Sequence, residues 1–233
     1  MEIVPGVHTI ERLGIGRAYL YQEADRLTLI DTGLAGSADR VLAAVERLGR
    51  QPGDLRQIVI THHHRDHTGS LGDVAERSGA QVLVHALDAP VVRGDRPPPA
   101  PDAAGLRRLI RPLLRWGVRP GQAARVDREL ADGDEIDVGS GARVLHVPGH
   151  TAGSIALYVP GRRLLFAGDA ASNALGLGPP AGPFGMFNED GAQARASFRR
   201  LAELDFDVAC FGHGPPLDKD ASLAFRRALE KLG

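Results

Sequence analysis

The residues best placed to do chemistry lie in Thr61-His62-His63-His64-Arg65-Asp66-His67, directly after the apolar run Ile58-Val59-Ile60. His62, His64, Asp66 and His67 bring imidazole and carboxylate donors into one short stretch, a set that suits zinc and other borderline first-row cations. No cysteine stands nearby, which argues against a thiolate-rich structural zinc site. If the apolar run is a buried strand that delivers the motif, period-two alternation sends His62 and His64 to one side and His63 to the other. Asp66 and His67 then fall on a turn able to swing them toward a second position, so one loop can begin two metal sites. Thr68-Gly69-Ser70 reads as the start of a helix.

Three later segments share one design, an apolar strand followed by glycine and a potential ligand. They are Pro148-Gly149-His150-Thr151 after Arg143–Val147, Ala167-Gly168-Asp169 after Leu164–Phe166, and Gly212-His213-Gly214 after Val208–Phe211. Glycine at such a point lets the backbone pass close to a site. His8, His63, His85 and His146 sit at strand or strand-edge positions and read as structural, with His85 the one to reconsider.

The elements that must position these residues are legible from periodicity. Val7–Ile10, Arg17–Gln22 and Arg26–Ile30 read as strands, followed by a helix over Ala38–Leu48 with Ser37 as N-cap and Gly49 as stop. Gln57–Thr61 is a buried strand, Ser70–Arg77 a helix ending near Gly79, and Gln81–Val84 the next parallel strand, which together form a crossover rhythm. The proline-rich stretch Arg93–Pro101 cannot hold regular hydrogen bonding and reads as an excursion, a lid-like insertion over about 93–121 that carries an amphipathic helix across Leu106–Trp116. In the second half Arg125–Leu130, Glu135–Val138, Arg143–Val147, Ser154–Val159 and Arg163–Phe166 read as strands with antiparallel pairing. A Gly/Pro loop over Gly176–Phe187, a helix over Ala192–Leu204, a strand at Asp207–Phe211 and a closing helix over Leu217–Leu232 complete the pattern.

The chain has 233 residues and a net charge of −1, enough for one substantial core in a single domain and without the basic field that nucleic-acid or anionic-membrane binding uses. A small molecule is the expected partner. The one cysteine, Cys210, rules out an intrachain disulfide, and neither a signal-like start nor a membrane-length apolar run is present, so a soluble, cytoplasmic monomer or homodimer is expected.

These motifs resemble the metallo-β-lactamase superfamily of metal-dependent hydrolases. The family's His-x-His-x-Asp-His signature is matched by His62, His64, Asp66 and His67, its later ligands by His150, Asp169 and His213, and its first motif by Leu29-Ile30-Asp31-Thr32-Gly33, over a span from about Val7 to Gly214. The resemblance implies an α/β fold, a four-layer αβ/βα sandwich of two mixed β-sheets flanked by helices. It implies that His62, His64 and His150 hold one metal, that Asp66, His67 and His213 hold a second, and that Asp169 bridges them. Two zinc ions are expected, with iron or manganese as alternatives. Asp66 and Asp169 carry the catalytic role, because two cations side by side need anionic ligands and a shared hydroxide between them. Asp31 reads either as an acceptor that fixes a ligand histidine or as a strand-end turn residue.

Asp169 bears on the substrate. Antibiotic-hydrolysing members generally lack the bridging aspartate, whereas glyoxalase-II-like thioesterases and lactonases have it, so esters, lactones or thioesters are expected over β-lactams. Glyoxalase II proper carries a C-terminal helical domain, and here only residues 214–233 follow the last ligand. A mononuclear iron persulfide dioxygenase, using His62, the motif around His64, His150 and Asp169, is the alternative enzyme. A non-catalytic metal-binding module is the third reading. Phe184, Met186 and Phe187 are apolar residues on a loop, expected to line the substrate pocket or, alternatively, a dimer contact.

Overall fold

The computed structural model describes residues 1–10, 13–99, 121–173 and 187–232. These fall into two compact units, one built from the described residues up to Pro98 and from 121 to Leu130, the other from Ala131 onward.

The first unit is built on a sheet of seven strands in sequence order, β1 (Glu2–Val4), β2 (Val7–Ile10), β3 (Ala18–Gln22), β4 (Leu27–Ile30), β5 (Leu55–Ile60), β6 (Gln81–His85) and β7 (Arg128–Leu130). The first four strands pair antiparallel, as hairpin connections allow, and β4 to β7 pair parallel. The parallel half needs crossovers. Helices α1 (Ala38–Arg47) and α3 (Leu71–Ser78) supply two of them. Val41, Leu42 and Val45 of α1 and Leu71 and Val74 of α3 join Ile58, Ile60, Val82 and Val84 of the strands in one apolar cluster. Val59 and Leu83 point to the opposite face and are also buried, which is why these strands read as continuous apolar runs and not as alternating ones.

The second unit holds a sheet in the order β12-β11-β10-β9-β8, from β8 (Glu135–Ile136), β9 (Ala142–His146), β10 (Ile155–Val159), β11 (Leu164–Gly168) and β12 (Val208–Phe211). Strands β8 to β11 pair antiparallel and β11 pairs parallel with β12. Helices α5 (Gly191–Ala202) and α6 (Ala221–Leu232) cover one face with a cluster built on Phe198, Leu201, Phe206, Phe211 and Phe225. Phe225 organises it, stacking near-parallel on Phe198 at 5.2 Å and meeting Phe206 edge-on at 5.1 Å. Both sheets are mixed and flanked by helices, the α/β class expected.

Several elements differ from the sequence reading. The strand expected at Arg125–Leu130 is limited to Arg128–Leu130 and runs parallel to β6 in the first sheet, not antiparallel in the second. Asp127 docks it there, its N–H donating to the Val82 carbonyl at 2.9 Å and its carboxylate accepting the Val82 N–H at 2.8 Å. The closing helix begins at Ala221 and not at Leu217, because Leu217 is held in a bridge with Ala209, each N–H donating to the other's carbonyl at 2.9 Å. Among the short elements that went unread are β1 and α4 (Ala89–Arg93), whose Pro90 is tolerated in the first turn and whose stop is Gly94 in the left-handed region. The helix expected at Leu106–Trp116 and most of the insertion lie outside the described residues. Among the described residues no helix is long and apolar enough to cross a membrane.

Candidate metal centre

In the first unit, parallel strands β4 and β5 end at the same edge, so Asp31 arrives beside Thr61 and the histidine motif. His62 and His64 lie edge to face with ring centroids 4.7 Å apart, and their nearest ligand nitrogens stand within 4.8 Å of each other. His63 turns away: its backbone N–H donates to Asp88 Oδ2 at 2.9 Å, and its Nδ1 lies 3.1 Å from the same oxygen.

Asp66 and His67 sit not on an irregular turn but on a one-turn helix, α2 (Arg65–Thr68). His64 has extended backbone at its start, and its carbonyl accepts the N–H groups of His67 and Thr68, each at 3.0 Å. That single turn brings Asp66 Oδ2 to 3.8 Å from His67 Nε2. The helix expected from Thr68-Gly69-Ser70 begins instead at Leu71. Ser70 serves as a tie rather than a side-chain cap, its hydroxyl donating to the Leu34 carbonyl at 2.7 Å and accepting from Ser37 N–H at 2.8 Å.

Behind the motif lies a buried polar relay. Asp31 Oδ2 is 2.7 Å from His67 Nδ1 and accepts the Thr61 hydroxyl at 2.8 Å, while Oδ1 accepts the Thr61 backbone N–H at 2.8 Å. An ionised carboxylate only accepts, so His67 carries its hydrogen on Nδ1 and presents the lone pair of Nε2. Thr61 has spent its one hydrogen on Asp31. Toward His62 Nδ1, 3.1 Å away, its oxygen therefore acts as acceptor, which fixes His62 in the same tautomer. One carboxylate thus sets the orientation of two histidines. Asp31 adopts a φ of +60°, a left-handed conformation that Asp tolerates better than most residues.

In the second unit, β9 and β11 each run antiparallel to β10 and are therefore parallel to each other, and β12 is parallel to β11. All three strands end at one edge and deliver His150, Asp169 and His213 there. Asp169 Oδ2 stands 3.2 Å from His150 Nε2 and 3.2 Å from His213 Nε2. His150 Nδ1 meets Asn188 Oδ1 at 3.0 Å. His62, His64, Asp66, His67, His150 and Asp169 are buried, and His213 is partly exposed.

The other histidines have ordinary partners. His8 Nε2 lies 3.2 Å from Gln22 Oε1, His146 Nε2 donates to the Ala152 carbonyl at 2.8 Å, and His85 Nδ1 accepts the Leu87 N–H at 3.3 Å. Phe187 is partly exposed, and Phe184 and Met186 lie outside the described residues. Sequence reading missed Thr61, Asp88 and Asn188, whose contacts join positions far apart in the chain or depend on a tautomer.

The first unit gathers the imidazoles of His62, His64 and His67, with Asp66 beside His67, and the second sets His150 and His213 about Asp169. Buried charge at this density calls for a compensating cation, and an all-nitrogen and oxygen donor set fits a divalent first-row metal.

The family model of the metallo-β-lactamase superfamily matches residues 12–213. The chain belongs to the metallo-β-lactamase superfamily. Among its relatives in the superfamily, a probable metallo-hydrolase, YflN of Bacillus subtilis, is 28% identical over 93% of this chain and 86% of its own length. A hydroxyacylglutathione hydrolase of Cereibacter sphaeroides is 32% identical over 88% of this chain, which spans 65% of that enzyme. A superfamily structure from Thermus thermophilus superposes with a TM-score of 0.70 at 25% identity, covering 99% of this chain and 81% of the other. Superfamily membership, hydrolase relatives and clustered His and Asp donors support a metal-dependent hydrolase binding a divalent metal.

Proposed function

We propose that this chain is a dinuclear hydrolase of carbonyl esters, lactones or thioesters, with zinc as the resident metal and a small molecule as substrate. The observation that carries the reading is Asp169, whose single oxygen Oδ2 stands 3.2 Å from the Nε2 atoms of both His150 and His213. A carboxylate shared by two imidazoles suits a ligand that serves two cations at once. On this reading His62, His64 and His150 hold one ion, Asp66, His67 and His213 hold the other, and Asp169 serves both.

Bound divalent cations supply water activation near neutral pH and polarisation of a carbonyl. The chain's own residues set the stage. Asp66 and Asp169 offset the charge of the cations, and Asp31 holds His67 directly and His62 through Thr61. The relative named hydroxyacylglutathione hydrolase supports acyl chemistry, since an acylglutathione is a thioester.

The test is a hydrolysis panel of lactones, thioesters, aryl esters and phosphoesters with metal-replete protein. Turnover of one or more acyl substrates, lost on Asp169→Ala, is expected. Turnover of phosphoesters alone, or oxygen consumption with a glutathione persulfide and no hydrolysis, overturns the reading.

A further inference from the structure

We propose that Asn188 is a positioning residue for His150, holding its imidazole as the Nδ1–H tautomer with Nε2 directed at Asp169. The inference rests on the metal-centre reading above and says how one of its ligands is aimed.

His150 lies in the connection between β9 and β10, where no ladder fixes its side chain. A neutral imidazole in such a place has two tautomers and a ring free to turn, and only one combination presents Nε2 as a donor to a metal. Here one ring nitrogen is held by an amide and the other faces a carboxylate. Nδ1 meets Asn188 Oδ1 at 3.0 Å, and Nε2 stands 3.2 Å from Asp169 Oδ2, with His150 and Asn188 at 2% and 3% exposure. An amide oxygen can only accept, so this contact puts the ring hydrogen on Nδ1. The opposite amide orientation would offer N–H to Nδ1, drive the ring hydrogen to Nε2 and block ligation.

The contact is built into the fold. Residues 188–190 are stitched to the His150 connection by Glu189 N–H on the His150 carbonyl at 3.2 Å and Asp190 N–H on the Gly149 carbonyl at 2.9 Å. The Glu189 carboxylate accepts the Ala152 N–H at 2.9 Å. Ser197 of α5 donates its hydroxyl to the Pro148 carbonyl at 2.7 Å. The amide orients the ring without adding another buried charge beside Asp169.

The first test needs no variant. In zinc-loaded wild-type protein, two-bond 15N–1H correlation spectra should show the His150 ring hydrogen on Nδ1, and a ring hydrogen on Nε2 overturns the proposal. The second compares Asn188→Leu, of similar bulk without an acceptor, with Asn188→Asp, which keeps one. Cobalt(II) is the probe, read by its visible spectrum and by competition with a chromophoric chelator. Asn188→Leu should weaken cobalt binding about 10- to 100-fold and alter the spectrum, and Asn188→Asp should restore binding to within a few-fold. Wild-type affinity and spectrum in Asn188→Leu overturn the proposal, as does failure of Asn188→Asp to bind. A wild-type protein that binds no cobalt at all overturns the metal-centre reading and this inference together, an outcome distinct from intact binding that ignores position 188.

Discussion

Asp31 Oδ2 stands 2.7 Å from His67 Nδ1, with both side chains buried. The same oxygen accepts the hydroxyl of Thr61, whose own oxygen accepts from His62. Asp31→Asn tests what the charge contributes, because Asn also tolerates the left-handed backbone found there and so changes the acceptor without straining the chain. We expect about a 10- to 100-fold loss of metal affinity in Asp31→Asn. Thr61→Val, which cuts only the arm to His62, should lose less. Competition with a chelator, read as metal retained per chain, checks both, and equal retention in Asp31→Asn and wild type contradicts the relay.

His63 and His64 are neighbours with different duties. His63→Gln should leave metal content unchanged but destabilise the fold by about 1–3 kcal/mol, because the buried carboxylate of Asp88 loses a partner. His64→Gln should do the reverse, emptying metal at little cost in stability. Denaturant melts of metal-free protein together with metal analysis separate the two, and metal loss in His63→Gln would refute the assignment.

Gly149 has a φ of +123°, and a Cβ there would stand 2.7 Å from the Asp190 carbonyl oxygen and overlap the backbone of Ala194. Gly149→Ala must push α5 away from the connection that carries His150. A cost of about 1–3 kcal/mol and a fall in metal content are expected. Gly53, where an added Cβ would meet nothing within 4 Å and φ is not positive, is the control, and Gly53→Ala should be close to neutral. Thermal melts of the two variants decide, and similar Tm values for both contradict the packing argument.

Asp190 caps α5, its carboxylate accepting the Ala192 and Gln193 N–H groups at 2.8 and 2.9 Å. The Gln193 N–H foremost, with help from that of Ala192, holds the Asp190 carboxyl below its ordinary value. A depressed carboxylate contributes stability that is present above its unfolded value, about pH 3.9, and is lost as pH falls through the lower folded value. Asn caps without titrating, so Asp190→Asn should lose less Tm than wild type between pH 5 and pH 3. Parallel Tm profiles would show that the cap does not titrate in this way.

What the sequence disclosed follows the range of the interactions involved. Strands β4, β5 and β11 and helix α3 were legible because their apolar periodicity is local, and the seven candidate ligands because each sits at a strand end beside glycine or in one dense motif. The pairing of Arg128–Leu130 with β6 was not legible, since it depends on Asp127 meeting Val82 across 45 residues of chain. Nor were Thr61, Asp88 and Asn188 as partners of the histidines. A threonine or an asparagine carries no signal of its own until the fold sets it beside a ring nitrogen. The one-turn helix at Arg65–Thr68 escaped because four residues are too few to show a helical period.

The central claim, one site of two metals served by Asp169, is tested most directly by metal analysis of the purified protein beside Asp169→Ala. The account predicts about two equivalents of divalent metal, zinc foremost, per wild-type chain, and one or fewer with no acyl hydrolysis in the variant. A single tightly bound iron in the wild type, or two equivalents retained in Asp169→Ala, would contradict it.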